Sequence, residues 1–208
     1  MFDLEIKPKS LLDIGANAGH FATSFHGRYP DAQITCIEPN PMFQAHLKSL
    51  GIEEVHAVGA SDINGTKTFY INQDNMSSTG NSFYKEISVH FQNVLEHNLS
   101  VVRLDDFFFN RTFDFIKIDT QGSDFDAVVG GSELIKRCKY LLIECAFFPL
   151  NEGCALANKI IPLITSLGLK PHSFPEFHTA NPIHHRMFFS DSFNSTLISH
   201  MDILWKNF

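Results

Sequence analysis

The sequence has no cluster of lysine and arginine residues. Its 208 residues include 16 Lys+Arg and 23 Asp+Glu, which gives a formal net charge of −7 at pH 7. A protein that binds nucleic acid needs a basic patch that faces the phosphates. The charge pattern therefore argues against a nucleic-acid partner.

Long apolar runs are also absent. No segment approaches the roughly 18 apolar residues that favour a transmembrane helix, although 44% of the residues are hydrophobic. The opening MFDLEIKPKS lacks the apolar stretch and cleavage site of a secretory signal. The four cysteines form no C-x-x-C pair, which favours reduced structural thiols. Together these absences predict a cytoplasmic protein without a membrane span.

The chain does contain a regular alternation of short apolar runs and longer helical patterns. SLLDIG, QITCIEP and FDFIKID are continuous apolar runs, and each is followed by a segment with helical spacing. Strands of this kind are typical of a parallel sheet with helices on both faces. The pattern predicts an α/β fold with a Rossmann-like, doubly wound, mostly parallel sheet. A chain of this length fits one domain, residues 1–208, and its early first strand suggests an excerpt of a larger protein.

One stretch interrupts the alternation. The dipeptide NG at residues 64–65 lies between two runs that can form strands, which predicts a tight hairpin turn. Farther on, Ile87, Phe91, Val94 and Leu95 recur at helical spacing. We therefore expect a helix over FYKEISVHFQNVLEH that covers the sheet.

The loop DIGANAG after the first predicted strand suggests a ligand site. It starts at Asp13, in the position where open α/β sheets bind ligands. Gly15 permits a tight turn close to a ligand, and Gly19 lets the next helix pack closely. The second strand ends in Glu38, whose carboxylate can accept hydrogen bonds from two ribose hydroxyls. We expect a ligand that contains adenosine.

The spacing of the glycines discriminates between adenosine ligands. A dinucleotide site uses G-x-G-x-x-G, whose middle glycine admits a pyrophosphate, and Asn17 occupies that place here. S-adenosylmethionine has no phosphate, and its ammonium and carboxylate suit Asp13 and the loop backbone. The sequence thus predicts S-adenosylmethionine as cofactor. The alternatives are an NAD-linked oxidoreductase or epimerase and a non-catalytic nucleotide-binding module.

Six motifs follow one another along the chain: D-x-G-A-N-x-G, I-E-P-N-P, A-S-D-x-x-G, L-D-D-F, I-K-I-D-x-x-G and L-I-E. Together they closely resemble the FkbM family of S-adenosylmethionine-dependent methyltransferases, most strongly over residues 11–145. The resemblance implies a class I methyltransferase fold with a seven-stranded sheet. It also implies O-methylation of a hydroxyl, commonly on a sugar, glycolipid or polyketide, and hence a small-molecule or glycan partner.

The resemblance further implies which residues contact the cofactor. The glycine-containing loop would hold the methionine part, Glu38 the ribose, and Ala60-Ser61-Asp62 would border the adenine. Asp62 either contacts the exocyclic amine or only forms a turn before NG. The expected cofactor-binding residues are Asp13, Gly15, Ala16, Asn17, Gly19, Glu38, Pro39, Ser61, Asp62 and Asp119.

Transfer of a methyl group to a hydroxyl calls for a general base that takes the hydroxyl proton. Asp119 ends the strand expected beside the first, so its carboxylate would face the ligand crevice. Its alternative role is to stabilise a helix N-terminus. His178 and His185 are the next catalytic candidates. Both follow the sixth strand, and in class I methyltransferases the residues after that strand commonly line the acceptor pocket.

The family's usual I-D-x-E-G-x-E is I-D-T-Q-G-S-D here, so Gln121 replaces a carboxylate. Asp119 and Glu144 are expected to end adjacent strands, and metal-dependent catechol-type methyltransferases resemble this in carrying acidic ligands at those two places. A hard cation between them is one interpretation. No second acidic ligand follows Glu144 in CAF, and no metal ligands are predicted.

Overall fold

The computed structural model describes residues 4–180 and 197–207, apart from residues 6, 53 and 90. Within these ranges the chain forms ten strands and six α-helices. The strands are β1 (Ser10–Ile14), β2 (Gln33–Ile37), β3 (Glu54–His56), β4 (Gly59–Ala60), β5 (Gly65–Asn72), β6 (Val94–Val102), β7 (Phe115–Ile118), β8 (Tyr140–Ala146), β9 (Lys170–Ala180) and β10 (Leu197–Lys206). The helices are α1 (His20–Arg28), α2 (Gln44–Ser49), α3 (Leu104–Phe107), α4 (Asp124–Gly130), α5 (Ser132–Lys136) and α6 (Ala157–Ser166).

Seven strands form the main sheet in the order β3-β2-β1-β7-β8-β10-β9. The first five strands in this order, β3, β2, β1, β7 and β8, are parallel to one another. β10 runs antiparallel to both β8 and β9. The chain proceeds from β1 towards β3 and then crosses to β7 on the other side of β1. This reversal creates a crevice at the carboxyl ends of β1 and β7, where doubly wound sheets bind ligands. The predicted fold class is confirmed.

Helices cover both faces of the main sheet, which explains the continuous apolar strands. Leu11 and Phe115 face α1 and pack against Phe25. Their neighbours Leu12 and Ile116 face the opposite side and pack in the cluster that includes α4, α5 and α6. All four strand residues are 0% exposed. Because neighbouring residues in these strands are buried on opposite faces of the sheet, the sequence shows no polar alternation.

A second sheet has the order β4-β6-β5, so the predicted hairpin at residues 64–65 is wrong. β6 lies between the two strands that flank the turn, parallel to β4 and antiparallel to β5. The Asn64 side chain accepts a hydrogen bond from the Arg103 backbone N–H (2.8 Å) and donates to Asp106 (2.7 Å). These contacts attach the turn to the segment after β6 instead of closing a hairpin.

The predicted helix over FYKEISVHFQNVLEH is also wrong. Val94 and Leu95 open β6, and Glu86 forms an isolated bridge with Asn151. β6 pairs with β5 over eight positions, from Gly65↔Val101 to Asn72↔Val94. Pairing with a strand more than twenty residues away overrides the local helical spacing. None of the helices in the described part of the chain is long and apolar enough to cross a membrane.

Gly130 provides the closest approach of α4 to the end of β4. A Cβ at this position would lie 1.8 Å from the backbone oxygen of Ser61. We expect Gly130→Ala to lower the free energy of unfolding by roughly 1–3 kcal/mol, the usual cost of overpacking. Urea unfolding followed by circular dichroism measures this loss.

Gly27→Ala in α1 is the matched control, since a Cβ there would have no heavy atom within 4 Å. It should leave stability unchanged or raise it by about 0.5–1 kcal/mol. If Gly130→Ala is as stable as this control, the close contact between α4 and Ser61 does not exist.

Candidate active site

A cleft opens at the carboxyl ends of β1, β2 and β7. It contains about 600 Å³ of empty space, part of which is open to solvent. Its walls come from the loops after these three strands and from the chain between β4 and β6. The lining residues are Ile14, Gly15, Asn17, Ile37, Glu38, Pro39, Asn40, Gly59, Ala60, Phe69, Thr79, Asn81, Phe83, Asp119, Thr120, Gln121 and Ser123.

The loop after β1 brings bare backbone to the cleft. Gly15 and Asn17 have positive φ values of 79° and 48°. A Cβ on Gly15 would lie 1.9 Å from the backbone oxygen of Asp119, so no side chain fits there. The backbone N–H groups of Gly15 and Ala16 both donate to the oxygen of Ile37, at 2.9 and 3.1 Å. The loop is therefore bonded across the end of β2 while it touches the end of β7.

Glu38 forms the wall after β2. Its carboxylate accepts hydrogen bonds from the backbone N–H of Asn17 (2.7 Å) and of Asn40 (2.8 Å). Burial raises the pKa of Glu38 to about 7, although these two donors favour the charged form. The cleft thus contains a buried acceptor that changes its charge near neutral pH.

Lys117 lies beneath the cleft between two acids. Its Nζ is 3.0 Å from Asp119 Oδ2 and 3.6 Å from Asp13 Oδ1. Burial alone would lower the pKa of Lys117, but the charges of Asp119 and Asp13 outweigh burial and raise it. Burial also raises the pKa of Asp13, which is 0% exposed, and Lys117 opposes that shift. Lys117 is thus the cation that balances both acids.

The loop after β7 is closed by Asp124. Its carboxylate accepts hydrogen bonds from the backbone N–H of Thr120 (2.9 Å) and of Gly122 (3.0 Å). Burial and the charge of Glu144 raise the pKa of Asp124 to about 7, while the backbone donors oppose the shift. These bonds hold Gln121 between them in a left-handed conformation, φ 53°. The backbone at Gln121 is consequently fixed by its own loop.

Gln121 connects the two carboxylates that the sequence places at adjacent strand ends. Its Nε2 donates to Asp119 Oδ1 at 2.7 Å and to Glu144 Oε2 at 3.1 Å. Among the described residues, no group of three His, Cys, Asp or Glu side chains could hold a metal ion. The amide occupies the space between the acids that the cation interpretation assigned to a metal.

The chain between β4 and β6 supplies a wall that the sequence motifs do not indicate. Phe69 and Phe83 meet edge to face with ring centroids 4.9 Å apart. A Cβ on Gly59 would lie 2.2 Å from the Phe83 ring, so this glycine lets the ring pack flush with β4. Thr79 and Asn81 add polar groups to the same wall. The only sequence signal for this wall is that Phe69 and Phe83 lie in the stretch that interrupts the alternation of strands and helices.

This wall is fastened to the loops after three strands. The Asn40 side chain donates to the oxygen of Met76 (3.3 Å), and Ser82 donates to that of Thr120 (3.0 Å). The Asn151 side chain donates to the oxygen of Tyr84 (2.8 Å). Residues 76–84 therefore form a cover over the cleft that is bonded to the strand ends themselves.

The expected cofactor-binding residues divide into two groups. Gly15, Asn17, Glu38, Pro39 and Asp119 line the cleft, whereas Asp13, Ala16, Gly19, Ser61 and Asp62 do not. Asp13 is turned to the buried Lys117, and Gly19 allows close packing of Leu47 and Leu50. Asp62 forms an ion pair with Lys67 (3.1 Å) and accepts a hydrogen bond from Ser61 Oγ (3.0 Å). β4 reaches the cleft through Gly59 and Ala60 instead.

The described structure does not test the two candidate histidines. His178 lies in β9, where its backbone is paired with that of His200 in β10. His185 falls outside the described residues. A catalytic role for either histidine stays a prediction.

Comparisons with known proteins agree with the fold. Residues 13–171 match a family model described as Methyltransferase FkbM domain. The 2-O-methyltransferase NoeI of Sinorhizobium fredii (strain NBRC 101917 / NGR234) is 28% identical over 188 residues, which cover 80% of this chain and 75% of that protein.

Solved structures show the same fold at lower identity. The crystal structure of methyltransferase FkbM from Methylobacillus flagellatus KT has a TM-score of 0.54 at 18% identity. The match covers 82% of this chain and 42% of that one, so this chain spans less than half of its length. The StiE O-MT structure has a TM-score of 0.51 at 8% identity and is matched over 96% of this chain and 68% of that chain.

The raised pKa of Glu38 predicts a pH-dependent stability. Its usual value is 4.5 and its value in the folded protein is about 7. The protonated carboxyl is favoured by folding, so its stabilising contribution is complete below about pH 4 and is lost as the pH rises through about 7. Glu38→Gln removes this titration. Between about pH 5 and about pH 8, the wild type should lose roughly 1–3 kcal/mol more unfolding free energy than Glu38→Gln. Urea titrations measure the difference, and equal losses would show that Glu38 keeps an ordinary pKa.

Proposed function

The chain belongs to the FkbM methyltransferase family, and from this membership we propose that it methylates a hydroxyl of a sugar, glycan or similar small molecule. The family model covers residues 13–171, from the first strand to β9. The protein is a methyltransferase of the S-adenosylmethionine-dependent kind with a class I fold. The observation that carries the proposal is the cleft in which Glu38 and Asp119 face the bare backbone of Gly15.

The residues that line the cleft support S-adenosylmethionine as its ligand. When bound, this cofactor supplies a methyl group on a positively charged sulfur. Glu38 would accept hydrogen bonds from the ribose hydroxyls. The backbone of the loop after β1 would contact the methionine part, since Gly15 has no side chain there. Phe69 and Phe83 would contact the adenine, since aromatic rings stack well on nucleobases. Glu38, which lines the cleft, would also complement the cofactor's positive charge.

In the proposed mechanism Asp119 takes the acceptor's proton. Its two oxygens are held by Lys117 Nζ (3.0 Å) and Gln121 Nε2 (2.7 Å), so the carboxylate has a fixed orientation. A carboxylate oxygen can accept more than one hydrogen bond, which allows it to receive one from a hydroxyl. The cofactor would supply the methyl group to the acceptor oxygen, and Asp119 would take the proton that this hydroxyl gives up. The neighbouring Lys117 stabilises the ionised base beforehand.

Three observations favour a hydroxyl on a glycan or similar small molecule as acceptor. Residues 119–122 read Asp-Thr-Gln-Gly, without the prolines of the D/N-P-P-Y/F type of N-methyltransferase. The net charge of −7 disfavours nucleic acid. A relative that this chain resembles over 188 residues is named a 2-O-methyltransferase.

Phe83 should contribute to nucleoside binding. Phe83→Ala removes a ring that lines the cleft, and loss of stacking on one base costs roughly 1–3 kcal/mol, or about 5- to 150-fold in Kd. Calorimetry with S-adenosylhomocysteine measures the change. Phe109→Ala is the control, because Phe109 is 75% exposed and does not line the cleft. Equal Kd values for both variants would show that the adenine does not contact Phe83. Saturable NAD binding would favour the oxidoreductase alternative.

A labelled methyl donor tests the reaction itself. We expect transfer to at least one member of a panel of hexoses, deoxysugars and glycolipids, and no efficient transfer to tRNA or a protein side chain. Asp119→Asn should lower kcat by about 100-fold or more, as expected for loss of a general base, while the Kd for S-adenosylmethionine changes little. Label found in tRNA or protein and in no sugar would contradict the proposed acceptor. Wild-type turnover by Asp119→Asn would contradict the proposed base.

A further inference from the structure

Gln121 lies between two acids on neighbouring strands. β7 and β8 are parallel, and Ile118 is paired with Ile143, so Asp119 and Glu144 are the next residues along both strands. The Gln121 Nε2 lies 2.7 Å from one carboxylate and 3.1 Å from the other. A side-chain amide nitrogen carries two hydrogens. One residue therefore supplies a hydrogen-bond donor to each acid.

Among the described residues, more acids than cations surround Asp119. Lys117 lies on β7, which Asp119 directly follows. Asp13 comes near Asp119 from β1, and Glu144 comes near it from β8. The start of α4 contributes Asp124, whose pKa is raised by burial and by the charge of Glu144, and the charge of Asp202 on β10 reaches Lys117. Adjacent carboxylates resist simultaneous ionisation unless a cation or a donor compensates. Gln121 adds one donor to each of Asp119 and Glu144, beside the cation of Lys117 that contacts Asp119.

The loop holds Gln121 in a conformation that ordinary residues avoid. Its φ is 53° and that of Gly122 is 102°. Left-handed backbone costs an ordinary residue roughly 1–2 kcal/mol, so the bonds from Thr120 and Gly122 to Asp124 must maintain it. The strained turn directs the amide back over the strand ends, where both carboxylates accept from it.

We propose that Gln121 is a positioning residue that replaces a divalent cation between Asp119 and Glu144. Its amide hydrogens bond to both carboxylates and fix the orientation of Asp119, so the base is positioned without a metal ion. The inference rests on the proposed role of Asp119 as proton acceptor. A carboxylate at position 121 would remove both donors and bring a third negative charge to the same point, which creates the oxygen-ligand set that Mg²⁺ and Mn²⁺ prefer.

Gln121→Glu tests the inference in two ways. By calorimetry with Mn²⁺ alone, Gln121→Glu should bind the ion, whereas the wild type and Gln33→Glu should not. Gln33 is an exposed residue at the start of β2, the end of the strand away from the cleft, and provides the same chemical change elsewhere. Binding is read without turnover, so its result is independent of whether Asp119 is the base.

The second measurement is the pH profile of kcat/KM. Without metal, the acidic limb of Gln121→Glu should move up by roughly one pH unit or more, since a third carboxylate disfavours ionisation of Asp119, and Mg²⁺ should move it back. Wild-type activity should survive EDTA. The inference is overturned if EDTA abolishes wild-type activity and Mg²⁺ restores it. It is equally overturned if Gln121→Glu binds no Mn²⁺ and keeps the wild-type pH profile.

Discussion

The cleft depends on the absence of a side chain at Gly15. Backbone from the end of β1 approaches the backbone of Asp119 so closely that even a methyl group would lie 1.9 Å from its oxygen. Directly before this contact, the Asp119 N–H donates to the oxygen of Ile14 and keeps the two strands paired to their ends (3.1 Å). The chain can then turn across β2 only because Gly15 adopts a positive φ. This contact places the loop after β1 against the loop after β7.

Charge is the second constraint on the site. Glu38 and Asp124 are buried acids with pKa values raised to about 7, and Asp13 is buried beside Lys117. Burying acids costs free energy unless donors or cations compensate. Backbone N–H groups compensate Glu38 and Asp124, and Lys117 compensates Asp13. A positively charged ligand would offset the remaining free-energy cost of these buried acids. The charges around the cleft therefore favour a cationic cofactor over an anionic one.

The sequence predicted those parts of the fold that local patterns determine. β1, β2 and β7 follow from continuous apolar runs, and the positions of Glu38 and Asp119 at their ends follow from the strands. The β4-β6-β5 sheet could not be predicted in this way, because β6 is held by β5 across a long connection and its own residues have helical spacing. Asp62 matched a motif, yet Lys67 five residues later draws it into an ion pair. Phe83 reaches the cleft through tertiary packing on Gly59, which no motif records.

The order of strands at the far edge has a consequence for synthesis on the ribosome. β10 lies between β8 and β9, although β9 is made first. Until β10 emerges, β9 has no neighbour in the sheet and β8 presents an open edge, which invites pairing with other chains. Ala180 and Lys206 are 26 residues apart, so at about 5–20 residues per second this exposed interval lasts roughly one to five seconds. Trp205, one of the last residues that the structure describes, is 0% exposed and then completes the core.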